Sequence, residues 1–220
     1  MITVMRKAGE ISVTEAYRTI QGEGSGEFVI SRSRFIGWSK PVFDEEEALA
    51  FIEGIRKGHR DASHNVWAYK LGEATERYSD DGEPRGTGGI PVLEVIRKES
   101  LRDVIVVVTR YFGGVKLGAG GLLRAYTQGA VAALEAGKVI ERRPYITYYV
   151  TTDYALAEKL AREYSRRGYI CKDTAYQDNV RLTLLIPGLE EEALRALTAE
   201  FTAGKGSVEA GPAAYLDFPV

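Results

Sequence analysis

The sequence predicts an α+β protein of two domains, and three observations carry that prediction. The run Val104–Val108 is apolar on both faces, as a central strand requires, and it sits among shorter alternating strands and amphipathic helices. The charged, proline-bearing Arg142-Arg143-Pro144 interrupts this pattern, which then restarts. The restart reads strand, helix, strand, strand, helix, strand, the ferredoxin-like βαββαβ order. The predicted domains are therefore 1–141 and 142–220.

Taken in order, residues 12–20 and 27–31 read as extended, with Gln21-Gly-Glu-Gly-Ser-Gly26 between them as a hairpin loop. A further strand runs from Arg34 to Val42. Asp44 is a good helix N-cap, with Glu47 three residues on as in a capping box. Ala48, Phe51, Ile52 and Ile55 give that helix one buried face, and Gly58 is placed to end it. Strands His64–Leu71 and Ala74–Tyr78 follow, then a polar turn, then a helix from about Ile90 to Glu99. After the strand 104–108 and a glycine-rich loop, Leu123, Tyr126, Ala130, Ala133 and Leu134 trace a helix face ending near Gly137. The second half is read as strand 145–151, helix 153–167, strands 168–176 and 179–186, helix 189–203 and strand 207–216.

Net charge is −2 over 220 residues, so nucleic-acid binding would have to come from a local patch. The single cysteine, Cys171, excludes an internal disulfide and any cysteine-cluster metal site. No charged-then-apolar leader opens the sequence and no apolar run approaches about 18 residues, which predicts a cytoplasmic protein without a membrane partner.

The most informative stretch is Arg110-Tyr-Phe-Gly-Gly-Val-Lys-Leu-Gly-Ala-Gly-Gly-Leu-Leu-Arg124. It holds Gly113, Gly114, Gly118, Gly120 and Gly121, three cations (Arg110, Lys116, Arg124) and no carboxylate. A cationic loop that opens a helix presents unpaired N–H groups and the positive dipole end to an anion. No Gly-Lys-Ser/Thr follows, so it is not a Walker A loop, and Leu123 stands where a dinucleotide fingerprint needs glycine. What remains is general anion contact or tight packing of helix on sheet. Arg110 reads either as a binding cation or as the partner of the acidic turn.

That turn, Asp80, Asp81, Gly82 and Glu83, holds three carboxylates but has no EF-hand spacing. Aspartates bonded to their own backbone are its commoner use, and no metal is expected. His59 and His64 have no serine or cysteine nucleophile in a triad context and read as surface or structural histidines, and Cys171 reads as a small core residue in a strand. Tyr145, Tyr148, Tyr149 and Tyr154, with arginines nearby, are candidates for base stacking or for core packing.

The motifs Ser79-Asp-Asp-Gly-Glu-Pro84 and Arg110-Tyr-Phe-Gly-Gly114…Leu117-Gly118…Gly120-Gly-Leu-Leu-Arg-Ala-Tyr126 resemble those of the IMPACT family, specifically its bacterial YigZ-type two-domain members. The resemblance runs from about Tyr17 to the C-terminus. It implies a ribosomal protein S5 domain 2-like N-terminal domain and a ferredoxin-like C-terminal domain, similar to consecutive domains IV and V of the translocation elongation factor. It also implies a link to regulation of translation, with no catalytic residue and no cofactor to carry over.

Two functions are expected from these readings. One is a non-enzymatic, translation-associated regulator that binds RNA or a ribosome-associated surface through Arg110, Gly113, Gly114, Lys116, Gly118, Gly120, Gly121 and Arg124, with a translation-associated protein as a further partner. The other is a phosphate- or nucleotide-binding protein, or an enzyme, that uses the glycine loop 113–121. In that second version Leu117-Gly-Ala-Gly-Gly121 is faintly similar to the phosphate loop of GHMP kinases, and the acidic turn would hold Mg²⁺.

Overall fold

The structure is a computed structural model and describes residues 15–188 and 190–220. The chain divides into two compact units, one built from Tyr17–Glu141 with Phe218–Val220, the other from Arg142–Asp217. The first contains strands β1 (Tyr17–Ile20), β2 (Gly24–Ile30), β3 (Ser33–Pro41), β4 (His64–Leu71), β5 (Thr75–Ser79) and β6 (Val104–Tyr111). Its helices are α1 (Glu45–Gly58), α2 (Gly89–Lys98) and α3 (Gly118–Gly137).

The first unit's sheet has the order β2-β3-β6-β4-β5, with β6 paired to both β3 and β4. Alternation along β6 sorts the core into two layers. Val104, Val106 and Val108 pack with Val92, Ile96, Ala125, Tyr126 and Ala130 of α2 and α3. Ile105 and Val107 face the opposite way, onto Ala48 and Ile52 of α1. A strand covered on both faces must be apolar at every position, which is why β6 reads as an unbroken run. This is the S5 domain 2-like half of the expected α+β fold.

Several details differ from the sequence reading. Residues 12–14 and Leu189, which fell within a predicted strand and a predicted helix, lie outside the described residues. Residues 21–26 are not a hairpin loop. β1 joins β7 (Val139–Thr152), whereas β2 pairs with β3 in the other sheet. Gly24 lies within β2 because α3 crosses directly over it: a Cβ there would stand 2.2 Å from the Gly137 nitrogen. The same close approach recurs between Gly37 and Gly129, where a Cβ on Gly37 would stand 2.0 Å from the Gly129 oxygen. These glycines serve helix-on-sheet packing, a use that local turn statistics do not separate from a hairpin.

The buried face of α3 begins at Leu122, not Leu123, which is 48% exposed. Leu122, Ala125, Tyr126 and Gly129 keep the helical spacing from there. On α1, Asp44 caps as read, accepting from the Glu47 N–H at 2.8 Å, while the Glu47 carboxylate accepts from the Phe43 N–H. Gly58 is the last helical residue and His59 the cap, so no left-handed glycine ends α1.

The second unit adds α4 (Tyr154–Arg166), β8 (Ile170–Tyr176), β9 (Val180–Pro187), α5 (Glu191–Thr202) and β10 (Ser207–Pro219) to β7. Its strand order is β10-β7-β9-β8, the arrangement of a ferredoxin-like sheet. Tyr148, Val150, Leu182 and Leu184 on the sheet meet Leu160 and Tyr164 of α4 and Leu194 and Leu197 of α5. Arg142-Arg143-Pro144, read as the boundary between the two halves, lies within β7. Pro144, which has no N–H to give, stands just before the pairing with β9 begins at Tyr145.

Candidate functional site

The chemistry-bearing residues of the first unit gather where β6 ends, beside the amino ends of α2 and α3. Arg110 continues the Val104-Val106-Val108 stripe and is only 5% exposed. Its guanidinium donates to Glu83 Oε1 at 2.6 Å and, at 3.4 Å, to the Ser33 hydroxyl. The Glu83 carboxylate also accepts from the Tyr126 hydroxyl at 2.7 Å. Phe35 and Phe112 lie against the guanidinium, with 5.5 Å and 5.4 Å from their ring centroids to its carbon. Burial first, and the Glu83 carboxylate second, hold the Tyr126 hydroxyl well above the usual phenol range. A carboxylate, a guanidinium and a neutral phenol thus form one buried polar cluster inside an apolar layer.

The acidic turn folds by spending each carboxylate on a different partner. Asp80 accepts from the N–H groups of Gly86, Gly88 and Gly89 at 2.8, 3.0 and 2.9 Å and so caps α2 through its side chain. Asp81, in a left-handed conformation followed by left-handed Gly82, takes the Arg56 guanidinium at 2.7 Å and the Asn65 N–H at 2.6 Å. Glu83 goes to Arg110. The three carboxylates therefore do not converge, which removes the Mg²⁺-holding version of this turn. Among the described residues no group of three or more His, Cys, Asp or Glu is placed to hold a metal ion.

His64 faces Arg110 across the β4–β6 pairing. Its Nδ1 lies 2.8 Å from the Asp81 carbonyl oxygen, which can only accept, so Nδ1 carries a proton. Nε2 is left on the side of Glu83, 3.9 Å from Oε1.

The glycine loop divides into two parts. Gly113 is locked in place, since a Cβ there would sit 2.0 Å from the Arg32 carbonyl oxygen, and Gly114 and Gly118 have φ of +84° and +69°. Beyond them α3 starts at Gly118 with no side-chain cap and no acidic residue in its first turn. Gly118, Ala119 and Gly120 are exposed and Gly121 is half-buried against Leu117. Lys116 and Arg124 are exposed, and neither has a carboxylate partner among the described residues. The first-turn amides, Lys116, His64, Arg110 and Phe112 border a cleft of about 470 Å³.

The sequence-derived cation set therefore separates. Lys116 and Arg124 are surface cations, while Arg110 belongs to the buried cluster and is corrected from a surface contact to a cleft-floor residue. The sequence does not flag Tyr126 as polar partner or His64 as neighbour of Glu83, because both depend on pairing across β4, β6 and α3. His59 is structural, with Nδ1 2.7 Å from the Tyr111 hydroxyl. In the second unit Tyr148 is buried and donates to Glu191, and Tyr154 donates to the Gln177 carbonyl. Tyr149 carries a stacked cation, with Arg181 at 4.2 Å from its ring centroid.

An S5 domain 2-like unit joined to a ferredoxin-like unit, with a buried Arg–Glu–Tyr cluster under a glycine-led helix, defines a specific class of two-domain α+β protein. The chain belongs to the IMPACT family. The Impact N-terminal domain family matches residues 31–134, and a domain of unknown function, DUF1949, matches residues 150–205. The chain is 39% identical over 204 residues to the IMPACT family member YvyE of Bacillus subtilis, covering 92% of this chain and 94% of that protein. It is 31% identical over 179 residues to the IMPACT family member YigZ of Escherichia coli, covering 80% and 88%. A solved crystal structure of a hypothetical protein superposes with a TM-score of 0.59 at 29% identity, covering 89% of this chain and 97% of that one. No helix among the described residues is long and apolar enough to cross a membrane.

Proposed function

We propose that the protein is a non-enzymatic, cytoplasmic, translation-associated regulator that holds RNA, free or on the ribosome, at the amino end of α3. One observation carries the reading: that end is exposed, has no side-chain cap and no acidic residue in its first turn, and beside it stand Lys116 and Arg124, without a carboxylate partner among the described residues. Four amide N–H groups without helical partners and the positive dipole end suit phosphate oxygens. Family membership supports the association with translation through the resemblance set out above.

Co-sedimentation with ribosomes and binding to single-stranded RNA, each over a salt series, test it. Association should weaken as salt rises. Replacing both Lys116 and Arg124 by alanine should weaken it further and lower the log–log salt slope by about 1.4, two single-strand phosphate contacts' worth. Salt-sensitive binding untouched by the double variant would remove α3 from the interface. A second reading, a small phosphate- or nucleotide-binding protein, draws on the concavity of the cleft, whose volume of about 470 Å³ falls in the small-ligand range.

A further inference from the structure

We infer that the cleft at the amino end of α3 takes a phosphomonoester, the phosphorylated end of an RNA or of a free nucleotide, and not the internal phosphodiester of a strand crossing the surface. This rests on the reading of that end as phosphate-facing and goes on to say which kind of phosphate it faces. The first argument is shape. A backbone running past needs an open groove, whereas a concavity of about 470 Å³ matches a chain end or a single nucleotide.

The second argument is the cleft's own donor set. Arg110 lines it with a side chain only 6% exposed, and the Arg110 Nε, shut off from solvent, has no hydrogen-bond partner. A buried, unpartnered guanidinium N–H is a standing vacancy for an acceptor. Arg110 shares the cleft wall with Gly118 and Ala119 of the uncapped first turn of α3 and with Lys116.

The third argument separates monoester from diester. With Nδ1–H engaged by the Asp81 carbonyl, the tautomer of His64 that carries a single proton has its lone pair at Nε2, beside Glu83 Oε1. Against that tautomer a diester's anionic oxygens, acceptors only, meet two further acceptors. A monoester has a titratable oxygen whose second proton leaves near pH 6. It can therefore share that proton with Nε2. At the rim, exposed Phe112 and Pro84 supply apolar surface for a base or sugar.

The test compares one short RNA sequence with a 5′-phosphate, a 3′-phosphate or hydroxyls at both ends, together with a nucleoside monophosphate, by calorimetry and fluorescence anisotropy on the full chain. At least tenfold tighter binding of a phosphorylated end, competed by the monophosphate, is the expected result. Ala119→Asp should abolish the preference with the melting temperature unchanged or raised, because an acidic residue in the first turn suits the helix and repels phosphate. Binding of the monophosphate alone would support the inference with a free nucleotide as source, and would overturn the RNA reading. Equal binding of all three RNAs, weakened by Lys116→Ala, would overturn the inference and leave the RNA reading standing. No binding of any probe would overturn both.

Discussion

Arg110 and Glu83 show how one residue position can serve packing and chemistry at once. Each is almost fully buried, and each neutralises the other at 2.6 Å. Removing one partner strands a charge in an apolar layer, so Arg110→Ala or Glu83→Ala should each cost about 3–5 kcal/mol in urea denaturation. Tyr126→Phe leaves the ion pair whole and deletes one hydrogen bond to a charged acceptor, and should cost about 1.5–3 kcal/mol. If Arg110→Ala were as stable as the parent, the cluster would not be the latch of this layer. Arg110 was recognisable in the sequence as a cation at a strand's end, with the acidic turn as one of its possible partners. Which of the three acids it takes was not, because Asp80 and Asp81 are claimed first by backbone amides and by Arg56 from α1, and only folding brings those groups together.

Among the elements, α3 depends on glycine more than any other. Gly37→Ala drives a Cβ into the Gly129 carbonyl and should destabilise by about 1–3 kcal/mol, the usual cost of overpacking. Gly54→Ala on the exposed side of α1, where a Cβ meets nothing, should instead stabilise by about 0.5–1 kcal/mol. Equal thermal shifts for the two variants would contradict this account of helix-on-sheet packing. The elements themselves were largely legible: Asp44 announces α1, and the alternation in Val180–Ile186 announces β9. Partnership was not. Gly24 and Gly26 look the same locally in a hairpin loop as in a strand covered by a helix, and only the small residues of α3, far along the chain, decide between them.

At the scale of the whole molecule, both units should fail in the same alkaline window. Burial, with Glu191 and Glu190 respectively as next causes, pushes the Tyr148 and Tyr169 hydroxyls up to about 12, and Tyr126 is raised as well. Each folded value lies above the unfolded one near 10, so the folded state keeps a proton that the unfolded state releases. The stabilisation is present in full below pH 10 and is lost as pH rises toward 12. In acid the sign reverses: the Arg97 guanidinium holds the Glu76 carboxyl below its ordinary value, and that contribution fades as pH falls below about 4.5. Circular dichroism between pH 9 and 12 should show loss of structure in Tyr148→Phe less steeply than in the parent; identical profiles would assign the alkaline transition elsewhere.

The glycine-lined crossing has one more consequence. α3 is clamped to β2 and β3 along its carboxyl half, through Gly129 and Gly137, while its amino end reaches the cleft. Between the two, Leu122, Ala125 and Tyr126 seat the helix on the core, so it can shift only as one rigid rod. From Gly129 to Gly118 is about 16 Å at 1.5 Å per residue, so a tilt of roughly 5° at the clamp swings the first-turn amides by about 1.4 Å. If the proposed phosphate site holds, a Cβ at Gly37 would thus detune it without touching a single group that lines the cleft.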